Sequence, residues 1–361
     1  MTSGSAPLPD TKTAPMLVVA FGVVLACLIY GRGFLLPLAV ALLLTTLLNA
    51  TIDRIAKVRV AGRTSPRWLA TILGIGLVSL CFWFVFKILS GQADAVSAAW
   101  PRYIERFEIL IGDVVKFIGP TATAKFEQAL RELNPTNRIP ALLGSAGSLL
   151  ASFGLVIIYI AFLMAGRGQL TRKLIILFAD TASAKDVHKV ATSVATGIQR
   201  YLWMKTLLSI LTGLSSYIVL KGLGVDFAET WSFLIFLLNY IPNIGSILGV
   251  VFPALLAIVQ FDTTWQFFVI AVFLSGIQFF IGNVIEPAIM GRSLNLSSFV
   301  IILSLTFWGT IWGLVGMFLS VPITAMTMIV CSHIPSWRWV AVLLSNDEQL
   351  TLNSLDSPTA K

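Results

Sequence analysis

Glu286 has the clearest chemistry in the chain. It ends a charge-free run from Thr263 to Ile285 and stands directly before Pro287. An ionisable group in or beside an apolar segment of bilayer length is expensive and is by default a functional candidate. Desolvation favours its neutral form, whereas a bound cation favours its charged form. A carboxyl balanced between the two can exchange a proton for a cation or a solute. Asn283 lies three residues earlier, on the same face of a continuing helix, and Gln278 precedes it in the same run. A second cluster surrounds Tyr240-Ile241-Pro242-Asn243-Ile244-Gly245. Pro242 lacks a donor and disfavours helix at Ile241, and Gly245 loosens the chain further. Asn239 and Asn243 flank this break, and their amides can hydrogen-bond a solute. Backbone opened at membrane depth must be buried in protein or line a wet cavity. Other readings remain open at this point. The break fits a kinked lipid-facing helix as well. Glu286 fits an exposed helix end, a pair with Arg292, or a cap on a neighbouring helix. Lys205, near the start of an apolar run, fits a lysine whose amine reaches the interface, or one that binds an anionic solute.

These residues sit in a chain of membrane character. It has 361 residues, 57% hydrophobic and 12% charged, with a mean hydropathy of +0.88. A soluble domain carries about 25% charged residues. The net charge of +8 therefore marks cytoplasmic loops, not nucleic-acid binding. Cys27, Cys81 and Cys331 lie in or beside apolar runs, which argues against a disulfide framework.

Residues 1–15 read as a disordered tail, and 16–90 as three spans. Gly31-Arg32-Gly33 predicts a tight hairpin between the first two. The loop 53–67 holds Arg54, Lys57, Arg59, Arg63 and Arg67 against Asp53 alone, which keeps it cytoplasmic. The third span is 68–86. Residues 91–140 balance their charges and repeat Ile104, Phe107, Ile111, Val114 and Ile118 at helical spacing. That predicts an extracytoplasmic amphipathic insertion, with a second short helix around Phe126, Leu130 and Leu133. A fourth span, 141–165, precedes a basic cytoplasmic loop, 166–201. Residues 202–337 form the membrane-embedded core, and 338–361 a cytoplasmic tail. The expected fold is all-α, with about eight transmembrane segments at roughly 20 residues each. Two runs, 231–261 and 293–337, are too long for one crossing and are read as broken or re-entrant. Ser232-Phe233-Leu234-Ile235 echoes Ser298-Phe299-Val300-Ile301, and each is followed by glycines and a proline. The second set is Gly313, Gly316 and Pro322.

With those motifs in hand, the chain resembles the AI-2E family of bacterial transporters. The resemblance is carried by Tyr240 to Gly245, by Asn283-Val284-Ile285-Glu286-Pro287 with Gly291, and by Gly313-Leu314-Val315-Gly316 with Pro322. Tyr201-Leu202, Leu207, Gly213 and Gly222-Leu223-Gly224 agree with it. It implies a multi-pass inner-membrane protein that moves a small molecule or ion, as a homo-oligomer in the lipid bilayer. Some members export signalling molecules such as autoinducer-2, and others exchange sodium or lithium for protons. Asn239, Pro242, Asn243, Gly245, Gln278, Asn283, Glu286, Pro287, Gly313 and Gly316 are the expected solute path, with Glu286 as the coupling residue.

Other function classes fit less well. No Gly-x4-Gly-Lys-Ser/Thr loop supplies an ATP site. The two histidines, His188 and His333, stand outside metal-ligand spacing, and no nucleophile–base set occurs in the apolar runs. An enzyme, a metal and a cofactor are not expected. A passive pore would use the same broken segments.

Overall fold

The long apolar runs fold into helices, because a chain with few charges must satisfy its backbone internally. The computed structural model describes residues 13–55, 59–60, 63–64, 67–118, 151–166, 169, 184–290, 295–334 and 337–346. The predicted helix around Phe126 and the start of the 141–165 span lie outside the described residues. Helix α1 spans Thr13–Tyr30 and α2 spans Arg32–Ile55. A two-residue antiparallel ladder follows, β1 (Arg59–Val60) on β2 (Arg63–Thr64), inside the basic loop. Helix α3 is Arg67–Ile118, α4 covers 151–166, and α5 is Ala184–Gly222. Then come α6 (Ala228–Leu238), α7 (Ile244–Gln260) and α8 (Trp265–Phe280). A π-turn at Ile281–Ile285 leads into α9 (Glu286–Met290), and α10 (Ser298–His333) and α11 (Arg338–Leu344) close the described chain. Arg32–Asn49, Val190–Gly222, Trp265–Ile289 and Ser298–His333 are long and apolar enough to cross a membrane. Val18–Tyr30, Ala151–Gly166, α6 and α7 are shorter apolar helices.

Both over-long runs are helical hairpins. In the first, α6 and α7 fold back on each other around residues 239–243. Gly245 lies against the Leu238 carbonyl and Gly249 against Ile235. The Trp231 and Phe252 rings stack across the pair with centroids 6.2 Å apart. In the second, α10 reverses at Gly313, which has φ 63° and ψ −144°. Glycine takes that conformation without steric penalty. On either side of the turn, Gly316 meets Trp308 and Gly309 meets Met317. The Ser304 hydroxyl donates to the Ser320 carbonyl at 3.2 Å. Residues 304 and 320 would be about 24 Å apart in a straight helix at ~1.5 Å per residue. The 36 residues of α10 are therefore two antiparallel arms, not one long rod.

Three sequence expectations are corrected here. Gly31 is not the centre of a hairpin. Gly31 N donates to Cys27 O and Leu35 N donates to Gly31 O, both at 2.9 Å. One residue between two helices is fewer than the two to five a packed helical hairpin needs. Val18, Val19, Phe21, Val23 and Val24 accordingly stay exposed. Second, the helix of the third span does not stop at Lys87; α3 runs on through Pro101 into the amphipathic stretch as one 52-residue helix. Third, the helix does not end at Glu286. Pro287 has no N–H and its ring crowds the carbonyl four residues back. The helix widens into the π-turn, with Glu286 N donating to Ile281 O, and continues.

The core falls into three apolar clusters. One joins α2, α5, both arms of α10, and α11 through Leu43, Ile198, Leu208, Leu319, Met328 and Ala341. A second seals the first hairpin against α5 and α8 through Leu220, Ile235, Ala257, Ile270 and Leu274. A third packs α2 against α4 through Ala41, Leu48, Val156 and Ile160.

Candidate functional site

Residue type and local geometry explain why the tip of the first hairpin is polar and open. Asn239 closes α6 at its C-cap, with φ −60°. Asn243 precedes α7 at φ 62° and ψ −54°, the geometry of a γ-turn, and Ile244 N donates to Pro242 O across it at 2.6 Å. The Asn243 side chain makes no capping bond to α7, so its amide is free to face outward. Asn239 turns inward, where its Nδ2 donates to Ser209 Oγ on α5 at 3.0 Å. The hydroxyls of Thr206 and Tyr240 lie 2.6 Å apart, and Tyr240 packs on Phe318 of α10. The tip is thus tied to both α5 and the second hairpin.

This tip forms one wall of a cavity of about 800 Å³. The opposite wall comes from α8, the π-turn and α9, with Gln278, Asn283, Glu286 and Pro287. Asn283 Nδ2 also donates to Phe279 O at 3.0 Å, one turn earlier. Helix α5 supplies Tyr201 and Lys205, the segment entering α10 supplies Asn295 and Ser298, and the residue two after α11 supplies Asn346. On the floor, Lys205 Nζ donates to Glu286 Oε1 at 2.7 Å. The lysine side chain is 6% exposed and the glutamate 27%. The expectation that Lys205 reaches the interface is overturned. Glu286 is near enough to pair with its charge, so burying the amine exchanges water for a carboxylate.

Seven of the ten expected path residues line this cavity: Asn239, Pro242, Asn243, Gln278, Asn283, Glu286 and Pro287. Gly245, Gly313 and Gly316 do not. Gly245 and Gly316 sit inside the hairpins where two backbones touch, and Gly313 makes a turn. Sequence reasoning did not place Asn295 or Asn346 in the solute path, because both stand in short polar segments beside apolar runs. Tyr201 entered only through the family motif.

The far end of the first hairpin is held shut. Asp226 precedes α6 and Asp262 follows α7. From α3, Arg102 pairs with Asp226, and Tyr103 Oη donates to Asp226 Oδ2 at 2.6 Å. Arg106 donates to the Asp262 carbonyl at 2.6 Å. Gln260 staples the two arms, accepting from Asp226 N at 2.8 Å and donating to Gly224 O at 2.7 Å. Burial, then Asp226 itself, pushes the Tyr103 hydroxyl up, so it stays a donor throughout the physiological range. Tyr103→Phe should destabilise the protein by about 1 kcal/mol, since a third of Asp226 is solvent-exposed. A lower thermal unfolding midpoint in detergent is the check.

The two hairpins point opposite ways. The first puts its tip, residues 239–243, at the cavity, and the second puts its open end there, beginning at Ser298. Gly313 lies about 22 Å further along the first arm of α10, at ~1.5 Å per residue. There Trp312 Nε1 donates to Leu28 O at 3.1 Å.

The family model described as AI-2E family transporter matches residues 16–336. A putative transport protein of Haemophilus influenzae is 31% identical over 344 residues, covering 93% of this chain and 95% of the relative. The AI-2 transport protein TqsA of Escherichia coli is 28% identical over 349 residues, covering 91% and 95%. The putative transport protein YueF of Bacillus subtilis is 24% identical over 286 residues, covering 74% and 77%.

Proposed function

We propose, from the premise that the chain belongs to the AI-2E family of transporters, that it exports a small polar solute driven by an ion gradient. With its apolar helices, this membership makes it a multi-pass membrane protein. The reading is carried by one observation, the buried Lys205–Glu286 pair on the floor of an amide-lined cavity. The pair has no net charge, and the amides each offer donors and acceptors. Such a wall suits an uncharged hydroxyl-bearing solute. The named Escherichia coli relative makes AI-2 the first solute to test. Protonation or cation binding at Glu286 frees Lys205 from its partner. Ion occupancy and the shape of the floor are therefore coupled.

Alternating access requires the closed end to open while the cavity end closes. The Arg102, Tyr103 and Arg106 contacts to the base of the first hairpin are the ones that must break. The molecule sits in a bacterial inner membrane as a homo-oligomer, with exposed apolar side chains such as Val272 and Phe299 against lipid or a second copy. The basic loops 53–67 and 166–201 and the C-terminal tail face the cytoplasm. A cysteine placed at Val60 should resist an impermeant reagent applied to intact cells. Its labelling from outside reverses the orientation.

Inside-out vesicles with imposed proton or sodium gradients test the mechanism. The proposal expects AI-2 uptake that collapses when the gradient is dissipated. Flux that persists without any gradient indicates a passive pore. Proton movement evoked by sodium or lithium alone, with no AI-2 transport, indicates a cation/proton antiporter acting through the same Lys205–Glu286 pair.

A further inference from the structure

The rim of the cavity is built from two segments far apart in sequence, and this inference rests on the transport reading above. Leu296, just before α10, pairs with Ser345, just after α11, as an isolated antiparallel bridge. Ser297 N donates to Leu344 O, and Asn346 N donates to Asn295 O, both at 3.0 Å. Asn295 Nδ2 donates to Ser345 Oγ at 3.0 Å. Leu296 and Ala341 are buried in the same apolar cluster as Met328 and Cys331. The clip is therefore anchored in the core and does not hang over the mouth as a loose flap. It brings both Asn295 and Asn346 into the cavity wall.

Exposure separates the floor of the cavity from its rim. Tyr201, Lys205 and Asn239 are buried, whereas Asn243, Asn283 and Asn346 are exposed. A solute entering at this end meets carboxamides before it meets the charge pair. The side chain of Asn346 has no hydrogen-bond partner among the described residues; only its backbone N–H is engaged. A free carboxamide presents a donor and an acceptor without charge, the complement of a hydroxyl, which is both. Asn346 also lies beyond residue 336, where the family match ends.

We propose that Asn346, positioned by this clip and acting beside Asn295, is a specificity-determining residue of the cavity. Its carboxamide hydrogen-bonds a hydroxyl of an uncharged solute at the mouth. The clip itself is a fixed wall.

The test uses the full chain in inside-out vesicles with AI-2, ribose and 2-deoxyribose as probes. Asn346→Ala should raise the half-saturating concentration of a transported probe about fivefold, the equivalent of one neutral hydrogen bond. The maximal rate should stay at the wild-type value, and Asn346→Gln, which keeps the amide, should recover part of the loss. A second variant controls for folding. Leu296→Cys with Ser345→Cys, in a chain whose native cysteines are replaced, should transport at the same rate cross-linked as reduced. Unchanged half-saturation in Asn346→Ala, or a loss of maximal rate alone, overturns the rim assignment and leaves the transport reading standing. Transport blocked by the cross-link and restored by a reductant overturns the fixed wall. A wild-type protein that moves none of the three probes overturns the transport reading, and the rim assignment with it.

Discussion

Glu286→Gln should still insert, with a lowered unfolding midpoint and reduced yield, and lose gradient-driven accumulation of solute. The argument starts from Lys205, whose side chain is 6% exposed and whose ammonium lies 2.7 Å from Glu286. Removing one partner of a buried pair leaves an uncompensated charge and costs about 3–5 kcal/mol. The cavity wets Glu286, so the lower end of that range applies. An amide keeps the size and hydrogen bonding of the carboxyl but cannot take up or release a proton. Lys205→Gln should lose coupling in the same way, because Glu286 then has no cation to exchange against. The double variant, with both groups neutral, removes the uncompensated charge. It should be more stable than either single variant, and any transport it keeps should be passive exchange. Unfolding midpoints of the three variants, with vesicle uptake under imposed gradients, form a double-mutant cycle on both properties. Full accumulation by Glu286→Gln would mean that the carboxylate only holds Lys205 in place.

That pair marks the boundary of what the sequence discloses. Glu286 stood out because it interrupts an apolar run, and the polar break at Pro242 because proline and two asparagines are conspicuous in such a background. Both signals are local. The partner of Glu286 is 81 residues away, and nothing around Lys205 distinguishes a paired lysine from one reaching for water. Hairpins were legible as excess length with glycine and proline. Their contact positions were not, because Gly245 and Gly316 look like path glycines until the backbones they touch are seen. Gly31 failed for the opposite reason. Its neighbours suggest a turn, but turn composition does not supply the residues needed to reverse a helix. Asn295 and Asn346 reach the site by a bridge across fifty positions, which has no trace in either local pattern.

Gly245→Ala should prevent the first hairpin from closing and so strip the protein of stable structure. A Cβ at Gly245 would lie 1.8 Å from the Leu238 carbonyl oxygen and 2.5 Å from its carbon. Those are backbone atoms, so no rotamer change relieves the clash; α6 and α7 must separate. Separation opens the packing of Trp231 on Phe252 and draws Asn239 away from Ser209. Overpacking a tight core costs about 1–3 kcal/mol when side chains can adjust, and here they cannot, so more than ~3 kcal/mol is expected. A folded protein holds only about 5–15 kcal/mol in total. Gly282 is the matched control. It lines the cavity, and a Cβ there meets nothing within 4 Å. Gly282→Ala should therefore fold like the wild type, whatever it does to transport. Size-exclusion profiles and thermal midpoints of the two detergent-extracted variants decide the matter. A monodisperse Gly245→Ala with a wild-type midpoint would show that the hairpin arms are not in backbone contact. Gly245 would then return to the solute path, where its sequence context first placed it.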